Sequence, residues 1–233
     1  MKIIEAIISL SPYGVFCLIA PVVAQNGPKV IGSLALVIVV AYISYFVHLV
    51  AVYSALVGGI AHISPARFFS EMAPAMMMAF SSASSVGTLP LNMKCTNKLG
   101  AREDISSFVL PLGATINMDG TAIYHGVCTI FIAACFGINL TFQQLAIVVV
   151  TATISSIGTA GVPGAGVVML AMVLQAVGLP VEGIALVLGV DRIFDMGRTT
   201  LNITGDAVCA LCITKIEHEE SKLKITKAIK KKR

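Results

Sequence analysis

The chain has no tryptophan, few aromatic residues (6%) and few charges (12%) in its 233 residues. Soluble domains carry about a quarter of their residues as charged side chains, so half that share excludes an ordinary water-exposed surface. With 57% apolar residues and a mean hydropathy of +0.91, the composition is that of a polytopic helical membrane protein. No Lys or Arg occurs between Arg102 and Arg192, a gap long enough for several crossings of about 20 residues each. Residues 1–24 lack the short apolar core and cleavage site of a signal peptide. The six cysteines imply no disulfide framework. Cys209 and Cys212 have the spacing of a redox or metal pair, but no second pair accompanies them, which favours helix packing.

The net charge of +4 is concentrated. Residues 216–233 form a basic tail, and Lys94, Lys98 and Arg102 form a second basic stretch. Both are expected on the cytoplasmic side of a plasma (inner) membrane. Attraction to anionic lipid accounts for them without a nucleic-acid partner.

Residues 3–24 are apolar but interrupted by Ser11, Pro12 and Gly14; residues 30–60 form one long apolar run containing His48. A lone histidine there is read as a packing residue bonded to a neighbour. Residues 66–93 comprise two short apolar arms around a Ser- and Gly-rich tip, neither long enough to cross, which predicts a re-entrant hairpin. Such backbone is tolerated at membrane depth only where it is buried in protein or lines an aqueous cavity. Residues 104–136 are apolar except around Asn117 to Thr121, predicting an interrupted helix. A second hairpin is predicted over 140–178, whose tip holds four glycines and a proline. A last helix is predicted over 181–213.

That last segment carries Asp191, Arg192, Asp195, Arg198 and Asp206 in an apolar setting. Ionisable groups inside a membrane segment are costly and mark function by default. At 100° per residue Asp191, Asp195, Arg198, Asn202 and Asp206 share one narrow stripe. A ladder of salt bridges accounts for Asp195 with Arg198 but leaves two acids and an amide without purpose.

The chain also repeats itself. Ser84-Ser85-Val86-Gly87-Thr88 matches Ser155-Ser156-Ile157-Gly158-Thr159, and the stretch from Thr115 to Ala122 matches that from Thr200 to Ala207. The order is hairpin, broken helix, hairpin, broken helix. The predicted fold is therefore an all-α polytopic membrane protein with two re-entrant helical hairpins and two interrupted transmembrane helices, forming an internal (inverted) repeat. Interrupted segments at corresponding places in two halves point to a secondary transporter's binding site.

Helix ends at the hairpin tips offer N–H groups to a carboxylate. Asp119 and Asp206, near Asn117 and Asn202, offer oxygens to a small hard cation. Arg198 is a planar fork for a carboxylate, and Asp195 one turn earlier can receive an amino group. Together they make a receptor for an acidic amino acid. An ion channel could use the same oxygens. An intramembrane aspartyl protease lacks its Gly-x-Gly-Asp context here, and a serine hydrolase lacks its Gly-x-Ser-x-Gly elbow, so no enzyme is expected.

These motifs resemble the dicarboxylate/amino acid:cation symporter family, which includes archaeal aspartate transporters, bacterial glutamate symporters and vertebrate excitatory amino-acid transporters. The likeness lies in residues 84–90, 117–121, 158–166 and 195–206, and runs from near Pro12 to about Lys215. It implies a homotrimer in which a transport core (28–215) moves like an elevator against a scaffold, of which 1–27 would be one helix. It implies coupling to Na⁺, or to H⁺. Substrate contacts implied by the resemblance are Ser84, Ser85, Thr121, Val162 and Gly166, with Asp195, Arg198, Thr199 and Asn202. One implied Na⁺ site has Gly113, Asn117, Asn202 and Asp206. A second has Thr115, Met118, Ser156, Ile157 and Thr159, and a third uses Asn117 and Asp119.

The chain also departs from that family. Its members are much longer, so a C-terminal fragment or truncated product is expected. The helix that completes their third cation site is missing. Where members place an arginine before the tip serines or after the substrate-binding aspartate, this chain has Ala83 and Met196. Arg192 is the candidate for that role, against pairing with Asp191 or snorkelling. His125 falls where vertebrate members carry a glutamate tied to proton coupling, so a proton-coupled step stands beside a packing role. Asp195 favours amino acids over C4-dicarboxylates, the alternative substrates.

Overall fold

A computed structural model describes the backbone of residues 29–231 and the side chains of residues 32–219. The expected scaffold helix over 1–27 lies outside the described residues. Helix α1 (Lys29–Val47) continues through a π-helical turn (His48–Tyr53), a short α piece (Ser54–Leu56) and a second π turn (Val57–Ala61). It stops at His62, whose φ of 55° is left-handed. Pro65 then opens α2 (Pro65–Ser82), where its missing N–H costs nothing. Ala83, at φ 50°, ends α2, and Ser84 caps α3 (Ser85–Lys98) by accepting the Gly87 N–H at 3.0 Å.

Helix α4 (Glu103–Ile116) ends in two non-helical residues, Asn117 and Met118, before α5 (Asp119–Cys135). Helix α6 (Phe142–Ile157) opens on a Thr141–Gln144 capping box. The loop 158–164 leads to α7 (Ala165–Ala176), with Gly164 at φ 81°. A 3₁₀ turn (Val181–Gly183) and the short α8 (Ile184–Leu188) precede α9 (Asp191–Lys231). No strand occurs among the described residues.

Helix α9 is the axis, packed by α2, α3, α4, α5 and the second π turn. In lipid the tails are as apolar as leucine, so helices associate by close packing of small residues rather than by the hydrophobic effect. Fully buried Ala75 and Ala79 on α2, and Ala207 and Ala210 on α9, supply such residues. The larger buried side chains Phe68, Met72 and Phe194 fill the core. Outward, Leu36, Phe108, Val149 and Val168 are 65–70% exposed. An apolar surface of that extent is an aggregation liability in water and ordinary in a bilayer. Two stretches, Gly32–Ala61 and Glu103–Cys135, are long and apolar enough to cross a membrane; α6 and α7 are apolar but shorter.

Two expectations are corrected. The second interrupted helix is absent: α9 runs unbroken through Thr200 to Ala207. Thr200 and Thr204 turn their hydroxyls back to the Met196 and Thr200 carbonyls at 2.8 and 2.7 Å, bonds compatible with a helix. Gly205 there serves close approach, because a Cβ would strike the Tyr53 hydroxyl. The last helix also differs in extent: it starts at Asp191 rather than 181 and continues to Lys231, through most of the basic tail.

Candidate binding site

The two tips meet. Ser84 donates its hydroxyl to the Gly161 carbonyl at 3.2 Å, and the Val86 N–H donates to the same oxygen at 3.3 Å. A side chain at Gly161 would collide with the Ala114 carbonyl, so only glycine allows this approach. Beneath the tips a small polar pocket is lined by both tips, α5 and α9. Of the expected substrate residues, Ser85, Thr121, Val162, Gly166, Asp195, Arg198, Thr199 and Asn202 all line it. Ser84 does not, its hydroxyl being spent on the Gly87 N–H and the Gly161 carbonyl. Ala83, Ala160 and Gly161 line it without having been anticipated.

The pocket volume is about 10 Å³, roughly one water molecule, because Arg198 is folded into it. Long helical side chains lean toward the N-terminus, and Arg198 reaches back along α9. Its Nε donates to Asp195 Oδ1 at 2.9 Å, and Nη1 and Nη2 point at the Asp191 carboxylate at 3.3 and 3.5 Å. The guanidinium lies 4.5 Å over the Tyr124 ring, a cation–π contact. A Cβ on Gly166 would overlap the guanidinium. Asp195 also accepts the Gly164 N–H at 2.9 Å and the Thr199 hydroxyl at 3.4 Å, tying the second tip to α9.

Arg192 does not pair with Asp191. Its Nη2 donates to the Ser81 carbonyl at 3.0 Å, near the end of α2, where unpaired carbonyls favour a cation. His125 is fully buried. Its Nε2 lies 2.9 Å from the Gly166 carbonyl and its Nδ1 3.0 Å from the Ser155 hydroxyl, so α5 is clamped to both arms of the second hairpin.

Beside the pocket, Asn117 donates to Asp206 Oδ1 at 2.9 Å, while the buried Asp206 Oδ2 has no hydrogen-bond partner. A Cβ at Gly113 would fall on this carboxylate. Asn202 Oδ1 accepts the Gly120 N–H at 2.8 Å, and its Nδ2 lies 3.0 Å from the Met118 sulfur. An orphaned, buried carboxylate oxygen with amide neighbours suits a small hard cation. Around the second expected cation site, Thr115 and Ser156 donate back to their own helices, Thr159 donates from the loop to the Ser155 carbonyl of α6, and α4 packs on α6. Asp119 Oδ2 takes the Tyr53 hydroxyl and lies 3.1 Å from His48 Nε2. Tyr53 went unread in the sequence; the stripe of Tyr42, Tyr45, His48 and Tyr53 in an otherwise apolar run was the available clue. No group of three or more His, Cys, Asp or Glu suited to a metal occurs among the described residues. Cys209 and Cys212 are free.

The electrostatic balance is lopsided. Three buried acids, Asp191, Asp195 and Asp206, share the core with Arg198, the one buried Lys or Arg among the described residues, and only Asp191 and Asp195 pair with it. Burying a further net negative charge in such low-dielectric surroundings is costly unless a cation accompanies it.

A model of the sodium:dicarboxylate symporter family matches residues 1–216. The chain is 39% identical to the proton/glutamate-aspartate symporter of Escherichia coli over 219 residues, covering 94% of this chain and 50% of that protein. It is 36% identical to the proton/sodium-glutamate symport protein of Bacillus subtilis, over 92% of this chain and 50% of the relative. It is 38% identical to mouse excitatory amino acid transporter 3, over 94% of this chain and 42% of the relative. The chain thus spans half or less of the length of these relatives.

Proposed function

The chain belongs to the sodium:dicarboxylate symporter family, whose members are membrane transporters and not enzymes, and from that premise we propose that it is the binding core of an acidic amino-acid symporter. Glutamate or aspartate enters the pocket beneath the tips. Its side-chain carboxylate takes the Arg198 guanidinium in place of Asp191, and its amino group takes Asp195 in place of the Gly164 N–H. Thr121, Thr199 and Asn202 complete the polar wall. Na⁺, or H⁺, offsets the charge, with Asp206, Asn117 and the Gly113 backbone as one site. Thr115, Met118, Ser156, Ile157 and Thr159 are a second and Asn117 with Asp119 a third.

The observation that carries this reading is the Asp191–Arg198–Asp195 chain closing a pocket beside the unpartnered Asp206 oxygen. Two re-entrant hairpins, an inverted repeat, elevator motion within a trimer and a cytoplasmic C-terminus belong to the same reading. The names of the relatives and the excess of Lys and Arg in 94–102 and 216–233 support it. A C4-dicarboxylate remains the alternative substrate, disfavoured by Asp195.

The test is uptake of radiolabelled L-aspartate and L-glutamate by proteoliposomes holding the full chain, with and without an inward Na⁺ gradient. Saturable, gradient-dependent uptake is expected. Leakage that is unsaturable, or indifferent to every cation gradient, contradicts it.

A further inference from the structure

Helix α1 changes pitch where it passes Asp119. An α-helix would set His48 and Tyr53 about 140° apart, whereas the wider i→i+5 repeat of a π turn brings them toward one face. The π turn runs from one to the other. Their rings stand edge to face at 5.1 Å, and both reach the same oxygen, Asp119 Oδ2. Gly205 on α9 leaves the room that the Tyr53 hydroxyl occupies.

The Tyr53 hydroxyl has two acceptors, Asp119 Oδ2 and the Leu201 carbonyl at 3.2 Å, but one hydrogen. While it donates to Asp119 it competes with any cation there. Rotated toward Leu201, the same hydroxyl turns its lone pairs to Asp119, and two oxygens then face the space between them. The His48 and Asp119 side chains are about a quarter exposed (27% and 26%), so water can complete a coordination shell. A hard oxygen pair of this kind suits a small monovalent cation and not a transition metal.

Resting on the cation-coupled reading above, we infer that Tyr53 is a cation ligand. Its hydroxyl leaves Asp119 for the Leu201 carbonyl when a Na⁺-sized cation binds, and His48 holds the Asp119 carboxylate in place. The phenol keeps its proton throughout, and no bond other than a hydrogen bond is made or broken. The π turn of α1 thereby supplies a wall of the Asp119 site from within this chain.

The experiment is a titration of Na⁺, Li⁺ and K⁺ against the purified full chain in lipid nanodiscs, read as cation-dependent thermal stabilisation at constant ionic strength. Tyr53→Phe should raise the half-saturating Na⁺ concentration by about tenfold or more, with K⁺ ineffective throughout. A purely structural tyrosine would lower the midpoint equally at every Na⁺ concentration and leave half-saturation unmoved; that result overturns the assignment. If Tyr53→Phe does not fold, the parent chain with ring-labelled tyrosine serves. Its Na⁺-minus-choline infrared difference spectrum should show a phenolic C–O band shift, and an unmoved band refutes the hydroxyl rotation. Loss of the Na⁺ response in Asp206→Asn but not Tyr53→Phe refutes this site alone. No Na⁺ response in the parent overturns the cation-coupled reading with it.

Discussion

Asp191 and Arg198 are joined across two turns of α9, with Nη1 3.3 Å from Asp191 Oδ1 and both side chains almost wholly buried. Under the proposed function, a substrate carboxylate would exchange with Asp191 at the same guanidinium, and affinity would depend on how firmly Asp191 holds on.

Asp191→Asn keeps the shape and removes the charge. Affinity for L-aspartate should rise roughly three- to tenfold, or about 0.6–1.4 kcal/mol. The substrate-free chain should lose about 1–3 kcal/mol of stability, since a buried guanidinium loses a charged partner. Calorimetric titration and thermal unfolding read the two effects, and unchanged or weaker affinity contradicts the exchange.

Asp195→Ser removes the acceptor for an amino group while keeping a hydroxyl near Arg198 and Gly164. Amino-acid binding should weaken by about 1.5–3 kcal/mol, the worth of a hydrogen bond to a charged group, whereas succinate binding should weaken less. Competition of each ligand against labelled aspartate measures it, and an equal loss of both disagrees.

Gly113→Ala places a methyl group on the Asp206 carboxylate. With α4 and α9 packed together, the carboxylate has to turn away, and Na⁺ dependence should be lost while the chain still inserts. Na⁺-dependent thermal stabilisation, with membrane insertion as the control, reports this. A Na⁺ response equal to the parent's would remove Asp206 from the cation site.

His125→Gln replaces a ring that bonds to both arms of the second hairpin. Glutamine cannot span both partners with the same geometry, so stability should fall by about 1–2 kcal/mol. If the imidazole takes part in proton coupling, the pH dependence of uptake should change shape in the variant. A pH profile that keeps its shape leaves His125 as a clamp only.

Much of the architecture was legible because local pattern dictates it. The apolar composition required helices in lipid, where every backbone group must bond internally. The Asn117–Met118 break was readable from polar residues in an apolar run. Its sequence counterpart at 200–207 misled, because similar residues face different neighbours. Asn117 bonds to Asp206 across the break, while Thr200 and Thr204 bond along their own helix. His48 was rightly read as bonded to a neighbour, but nothing in the sequence named Asp119 as that neighbour.

The sequence by itself determined the class of protein, the stripe on α9 and the residue types gathered in the pocket, since helical periodicity decides which side chains share a face. The tertiary structure decided the partners. Arg198 took Asp191 and Asp195, Arg192 went to Ser81, Asp119 was met by Tyr53 and His48, and Asp206 kept a free oxygen. Periodicity fixes an angle around one helix, but a hydrogen bond needs a distance to another, and that is set by how close glycines 113, 161, 166 and 205 let the helices and tips approach.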